Sequence, residues 1–258
     1  MDENETVIFE QLIGLSQRLG EPERDLVILG DGNTSARCDQ DTFWVKASGA
    51  CLNQISADGF SKVKLKSVLG MLEMGDLSDE QIHQELDKAK VDPGGRHPSI
   101  ETLLHGLAYS LCGASFIGHT HPVALNSVLC SRNARQVLSG HLFSETALYL
   151  GKRPLILGYA DPGLALAREL RQEIQVYLEQ NGEAPRLFYL LNHGMVALGK
   201  TAQEVENITA MAVKSARILL GTYSLGGPNF LTETEVERIT KRPDEENRRN
   251  LANRVTGG

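Results

Sequence analysis

Four things are scarce in this sequence of 258 residues, and each scarcity removes a class of protein. Basic charge is short: 26 Lys and Arg stand against 33 Asp and Glu, a net charge of −7. That excludes an electrostatic grip on nucleic acid, which needs a basic face, although a few local donors can still hold a small anion. Long apolar runs are absent, and none approaches the ~20 residues a membrane helix requires. Met1 to Glu5 is acidic where a signal peptide is basic. The expectation is a cytoplasmic protein without nucleic-acid or membrane partners. The four cysteines, Cys38, Cys51, Cys112 and Cys130, include no Cys-x-x-Cys pair. This argues against thiolate zinc sites and disulfide frameworks, and predicts buried free thiols in a reducing compartment. Aromatics make up 5% of the chain, so the core must be mostly aliphatic.

What is present is a 41% apolar fraction, ordinary for a globular chain and enough for one large core. Ile8, Leu12, Leu15 and Leu19 share a helical face that Gly20 and Pro22 terminate. Thr34–Cys38 and Thr42–Ala47 read as strands joined at Asp39-Gln40-Asp41, and Lys62–Lys66 alternates with the period of a half-exposed strand. Ser78 caps a predicted polar helix to about Lys90. Ile100, Leu103, Leu104, Leu107, Ala108 and Leu111 mark a helix behind Pro98-Ser99, and Ser115–His121 a strand stopped by Pro122. A helix is predicted from Pro162 to about Glu179. Arg186–Leu191 and Met195–Leu198 read as a hairpin around Asn192-His193-Gly194. Thr201-x-x-Glu204 and Thr232-x-x-Glu235 are capping boxes, the first for a helix ending near Gly221. Hairpins forbid an all-parallel sheet. The expected fold is therefore a single α/β domain over 1–258 with a mixed, largely antiparallel sheet covered by helices, and a polar helical extension from about 228.

The residues with chemical potential begin with His119-Thr120-His121. Strand residues two apart face the same way, so both imidazoles project side by side. Two imidazoles plus a third ligand from elsewhere make a catalytic divalent-metal site with an open position. His193, in its tight Asn-His-Gly turn, is the candidate third ligand; alone it would be an ordinary turn residue. Glu101 sits in the first turn of its helix, where the dipole favours a carboxylate. The functional alternative is a general acid/base, or a resting-state metal ligand, facing the same cavity, with His105 one turn later as its partner. Gly30-Asp31-Gly32-Asn33-Thr34-Ser35 imitates the start of a dinucleotide fingerprint, but the third glycine is absent and a strand follows. Such a turn, and Ala47-Ser48-Gly49 after it, can still offer backbone N–H groups to an anion.

These segments occur in a fixed order: Gly32-Asn33-Thr34-Ser35, Lys46-Ala47-Ser48-Gly49, Pro98-Ser99-Ile100-Glu101, His119-Thr120-His121-Pro122 and Asn192-His193-Gly194-Met195. The series resembles the class II aldolase/adducin family, which includes fuculose-phosphate and rhamnulose-phosphate aldolases. The wording around Pro98 and His119 is most similar to the aldolase half of aldolase–dehydrogenase fusions. The resemblance runs from roughly Leu26 to Leu220. It implies a three-layer α/β/α fold, a divalent ion, most often zinc, and a homotetramer. It implies His119, His121 and His193 as metal ligands and Glu101 as the acid/base. It also implies Gly32, Asn33, Ser48, Gly49 and Ser99 as phosphate-binding positions, to which Lys46 could add charge. Two residues depart from the pattern. Ile100 stands where sugar-phosphate aldolases often have serine, and Asp31 puts negative charge beside the anion cradle. The implied activity is metal-dependent aldol cleavage of a sugar phosphate or related hydroxy-carbonyl compound through an enediolate, with decarboxylation, epimerisation and dehydration as alternatives from the same chemistry. Adducin-type scaffolds lose the histidines that this chain retains. A dinucleotide-dependent oxidoreductase would rest on the incomplete glycine motif alone.

Overall fold

The computed structural model describes residues 1–244, Asn247 and Leu251. Among these, β1 (Asn33–Arg37), β2 (Thr42–Lys46), β3 (Phe60–Lys64), β4 (Phe116–Thr120), β5 (Leu155–Leu157), β6 (Leu187–Leu190) and β7 (Gly194–Gly199) form one sheet, in the order β3-β2-β1-β4-β7-β6-β5. Only β5 and β6 pair in parallel; the other neighbours are antiparallel. β4 is the middle strand, with every earlier strand on one side and every later strand on the other.

The described helices are α1 (Glu3–Leu19), α2 (Leu65–Gly70), α3 (Asp79–Ala89), α4 (Thr102–Leu111), α5 (Val123–Leu129), α6 (Ala134–Leu138), α7 (Ser144–Leu150), α8 (Leu164–Asn181), α9 (Ala202–Thr222) and α10 (Glu233–Thr240). They cover both faces of the sheet, giving three layers, because alternate strand residues point opposite ways. On one face Ala36, Phe116, Met195 and Ala197 join Leu12, Leu15 and Leu19 of α1 and Val205, Ile208 and Ala212 of α9. On the other, Phe43, Ile117, Val196 and Leu198 join Leu103, Leu104 and Leu107 of α4 and Leu170 and Ile174 of α8. The odd-numbered residues of β1 and β4 therefore look toward α4, and the site is built on that face.

Several boundaries differ from the sequence expectation. The alternating stretch Lys62–Lys66 is strand only to Lys64, since Leu65 and Val68 of α2 turn into the core beneath it. The helix expected from Pro162 begins at Leu164, after Gly163 turns the chain with φ +103°. The Thr201 box is half formed: Thr201 accepts the Glu204 N–H, but the Glu204 carboxylate takes the N–H of Lys200. The Thr232 box is complete. The cysteines are free but not uniformly buried: Cys38 and Cys112 are half-buried, and Cys51 and Cys130 are exposed. No described helix is long and apolar enough to cross a membrane. Of the C-terminal extension expected from about 228, α10 is helical, while residues 245, 246, 248–250 and 252–258 lie outside the described residues.

Candidate active site

β4 delivers His119 at its end and His121 just beyond it, while the turn between β6 and β7 delivers His193. That turn is tight. Asn192 adopts φ +57°, the His193 N–H bonds the Leu190 carbonyl, and Asn126 Nδ2 holds the His193 carbonyl at 2.9 Å. Glycine is required beside it, because a Cβ on Gly194 would lie 2.5 Å from both His121 Cδ2 and the Thr120 carbonyl. Gly32 is equally constrained. With φ +68°, its Cβ would meet Val27 Cγ1 at 2.6 Å and the His119 carbonyl at 2.9 Å.

The three imidazoles converge with ring centroids 4.7, 4.9 and 5.1 Å apart. Their outer contacts decide which nitrogen carries the proton. His119 Nδ1 lies 2.9 Å from the Met195 carbonyl, which can only accept, so Nδ1 is protonated. His121 Nδ1 lies 3.2 Å from Asp31 Oδ2 and is fixed the same way. Both Nε2 lone pairs therefore point inward, 2.9 Å apart. Facing lone pairs repel unless a proton or a metal ion lies between them. Outer acceptors on Nδ1 that free Nε2 are the usual support of a metal-ligating histidine.

Glu101 closes the cluster. It stands at the N-cap of α4, but its side chain makes no cap hydrogen bond, so the helix dipole alone does not explain its place. Oε1 lies 3.4 Å from His119 Nε2 and 3.2 Å from His193 Nε2, and it accepts no well-formed hydrogen bond. Burial pushes the Glu101 carboxyl up, but the imidazoles of His119 and His193 beside it hold it well below the usual range. His119 is pulled down by burial and raised, on balance, by Glu101. His121, buried and beside two other imidazoles, falls to about 3. Inward-facing imidazole nitrogens beside one ionised oxygen are the kind of donor set that a divalent-metal site uses. The groups His119, His121 and His193 offer ligand atoms within 4.8 Å of one another and could hold such an ion.

The remaining predicted residues form three loops tied together by Lys46. Its ammonium, buried at 2% exposure, donates to the Gly30 carbonyl at 2.8 Å and to the Ala50 carbonyl at 2.5 Å. Its own carbonyl accepts the Ser99 N–H. Neither a solvated lysine nor a charge turned toward an anion describes it; it staples loops. Burial lowers its pKa. Ser48 and Gly49 are exposed, and the Ser48 N–H is committed to the His97 carbonyl. Two of the expected anion donors, the Ser48 and Ser99 amides, are thus already paired. Ser99 Oγ accepts the Glu101 N–H at 3.3 Å, and Ile100 packs over Gly163. Asp31, expected beside the cradle, instead supports His121. The Asn33 side chain reaches Glu101 Oε2 at 2.5 Å. His105 does not pair its side chain with Glu101; it contacts Asn33 and Ser35. Ser35 and Tyr109 were not singled out by sequence. Both follow from periodicity, Ser35 two residues after Asn33 on a strand and Tyr109 four after His105 on a helix.

Residues 10–220 match the family model described as the class II aldolase and adducin N-terminal domain. The chain belongs to that family. The chain is 28% identical over 216 residues to the uncharacterized oxidoreductase YuxG of Bacillus subtilis, covering 80% of this chain and 29% of that protein. It therefore spans under a third of the length of that relative. It is 25% identical over 226 residues to the 3-oxo-tetronate 4-phosphate decarboxylase of Haemophilus influenzae, covering 85% and 90% of the two chains. A solved L-fuculose 1-phosphate aldolase superposes with a TM-score of 0.67 at 20% identity, covering 92% of this chain and 95% of its own, a likeness of fold. The mixed sheet between helical layers is the class II aldolase fold.

Proposed function

We propose that this protein is a divalent-metal-dependent carbon–carbon lyase that cleaves a small hydroxy-carbonyl compound, a sugar phosphate or a relative of one, by retro-aldol chemistry. The observation that carries the reading is the convergence of three inward Nε2 atoms on a buried, ionised carboxylate. His119, His121 and His193 would hold the ion, zinc being the metal best matched to three neutral imidazoles. When bound, it would supply Lewis acidity toward the substrate's carbonyl and hydroxyl oxygens. Glu101 moves the proton between substrate and site, which its position beside the cluster allows. Asp31 and the Met195 carbonyl keep the imidazoles in the ligating tautomer.

The loops around Lys46 are the proposed end-group cradle, and the Ser48 and Ser99 amides committed elsewhere make it a weak one for phosphate. Gly32 and Gly49 keep the cradle's turns open. The exposed Ile28, Leu29 and Val123 beside the site suit cover by a neighbouring subunit of the homotetramer that the family resemblance implies. A cytoplasmic setting is proposed on the same basis.

Decarboxylation is the second reading, because the decarboxylase relative is matched over 90% of its length. Both reactions leave an enediolate, and they differ in the fragment lost. Elemental analysis of the purified protein, with a screen of phosphorylated and unphosphorylated ketoses and 3-oxo sugar acids, separates them. We expect close to one divalent ion per chain, its loss in a His119→Ala, His121→Ala double variant, and an aldehyde product. Carbon dioxide in place of aldehyde selects the second reading. Equal metal in wild type and double variant defeats both.

A further inference from the structure

Beneath Glu101 lies a buried chain of hydrogen bonds that none of the sequence motifs predicts. Tyr109 Oη bonds Ser35 Oγ, which lies 2.6 Å from His105 Nδ1. His105 Nε2 bonds Asn33 Oδ1, and Asn33 Nδ2 lies 2.5 Å from Glu101 Oε2. Asn33, Ser35, His105 and Tyr109 are all at most 2% exposed.

The far end fixes the direction of every link. The Tyr109 ring packs against Phe43, and its hydroxyl has Ser35 as its hydrogen-bond partner. A buried hydroxyl with one neighbour must give that neighbour its proton, since an O–H taken out of water and left unpaired forfeits its solvation with nothing in return. Ser35 then donates to His105 Nδ1, His105 Nε2–H to Asn33 Oδ1, and Asn33 Nδ2–H to Glu101 Oε2. Reversing the chain would strand the tyrosine proton in the aliphatic core and aim the amide oxygen at the carboxylate. The four bonds are therefore parallel in sense, and they reinforce one another in a dry interior. Because Oε2 is pinned, Oε1 is the oxygen turned to the imidazoles.

We propose that Asn33 is a positioning residue for the Glu101 carboxylate, its amide locked by His105, Ser35 and Tyr109. The proposal takes from the lyase reading only the role of Glu101 in proton transfer. It also accounts for an asparagine here: a side chain that accepts at one atom and donates at the next carries the polarity from imidazole to carboxylate.

The test needs no substrate for its first two readings. In 15N-histidine-labelled, metal-loaded protein, His105 should be the neutral tautomer protonated at Nε2, unchanged between about pH 6 and 8.5. A proton on Nδ1 overturns the direction of the chain and with it the proposal. In crystals of metal-loaded Asn33→Ala, the Glu101 carboxylate should leave its wild-type position, and an unmoved carboxylate overturns the positioning role. With a substrate in hand, Asn33→Ala should lower kcat by about 10²-fold, as a misplaced group does, with KM within a few-fold. A raised KM at unchanged kcat would make Asn33 an anion ligand and defeat the proposal. If no compound turns over, the lyase reading fails, while the tautomer and the carboxylate position still decide this one.

Discussion

Glu101→Gln is the residue-scale experiment with the clearest outcome. Glutamine keeps the shape and can still accept the Asn33 N–H, but it cannot carry a proton between substrate and site. Turnover should fall by at least about 10²-fold, with the fold and metal content retained. A variant of normal activity would return Glu101 to a role at the helix N-terminus. At this scale the sequence was legible where chemistry and periodicity coincide. His119 and His121 share a face because strands repeat every two residues. His193 was legible only through its joint occurrence with them. The contact of Asp31 with His121 Nδ1 was hidden because charge without direction says nothing about a partner, and only the fold supplies it. The pairing of Lys46 was hidden for the same reason: two carbonyls from different loops make its burial tolerable, and neither is visible in sequence.

At the scale of elements, α1 and the short turn at Pro22–Arg24 are tied to α9 by one carboxylate. Glu206 accepts from Arg18 Nε at 2.7 Å and from an Arg24 guanidinium nitrogen at 2.8 Å. Burial pushes the Glu206 pKa up, but the two arginines pull it below the ordinary 4.5. A carboxyl with a depressed folded pKa stabilises fully above its unfolded value and loses that contribution as pH falls through the folded one. Glu206→Gln should cost about 1–2 kcal/mol at pH 7 by urea denaturation, a modest figure because Arg18 is partly exposed. The gap between variant and wild type should close toward pH 3. A gap independent of pH would mean packing, not charge, holds these elements. Elements long enough to show their period were readable, as α1, α4 and α9 were. The segment from Val123 to Leu157 was not, because α5, α6 and α7 have 7, 5 and 7 residues and β5 has 3. Fewer than two full turns cannot display a helical repeat; α5 and α7 are held by packing against α9.

For the whole molecule, a ligand that binds only the folded state stabilises it by mass action. Free metal at 100 times its dissociation constant would add about 2.7 kcal/mol, which corresponds to roughly 5–10 °C in Tm for a chain of this size. Calorimetry before and after chelation, with metal restored, should show that shift reversibly, and the His119→Ala, His121→Ala protein should show none. An unchanged wild-type Tm on complete stripping would leave the histidine cluster structural. The helix-covered mixed sheet was readable because the hairpins excluded an all-parallel sheet and helices alternated with strands, while the three layers came only from the family resemblance. The strand order was not, since nothing local says that β7 crosses back to lie against β4.

That order has a consequence for how the protein is made. Synthesis runs from β1 onward, so the half-sheet β3-β2-β1-β4 can exist on the ribosome while His193 is still unmade. Such a nascent half presents two imidazoles and a carboxylate, an incomplete set that would hold an ion weakly and release it. The third imidazole arrives only when β7 zips onto the open edge of β4. On the metal-site reading proposed above, tight capture would be deferred until the two halves have joined, and a bound ion would mark a correctly closed sheet.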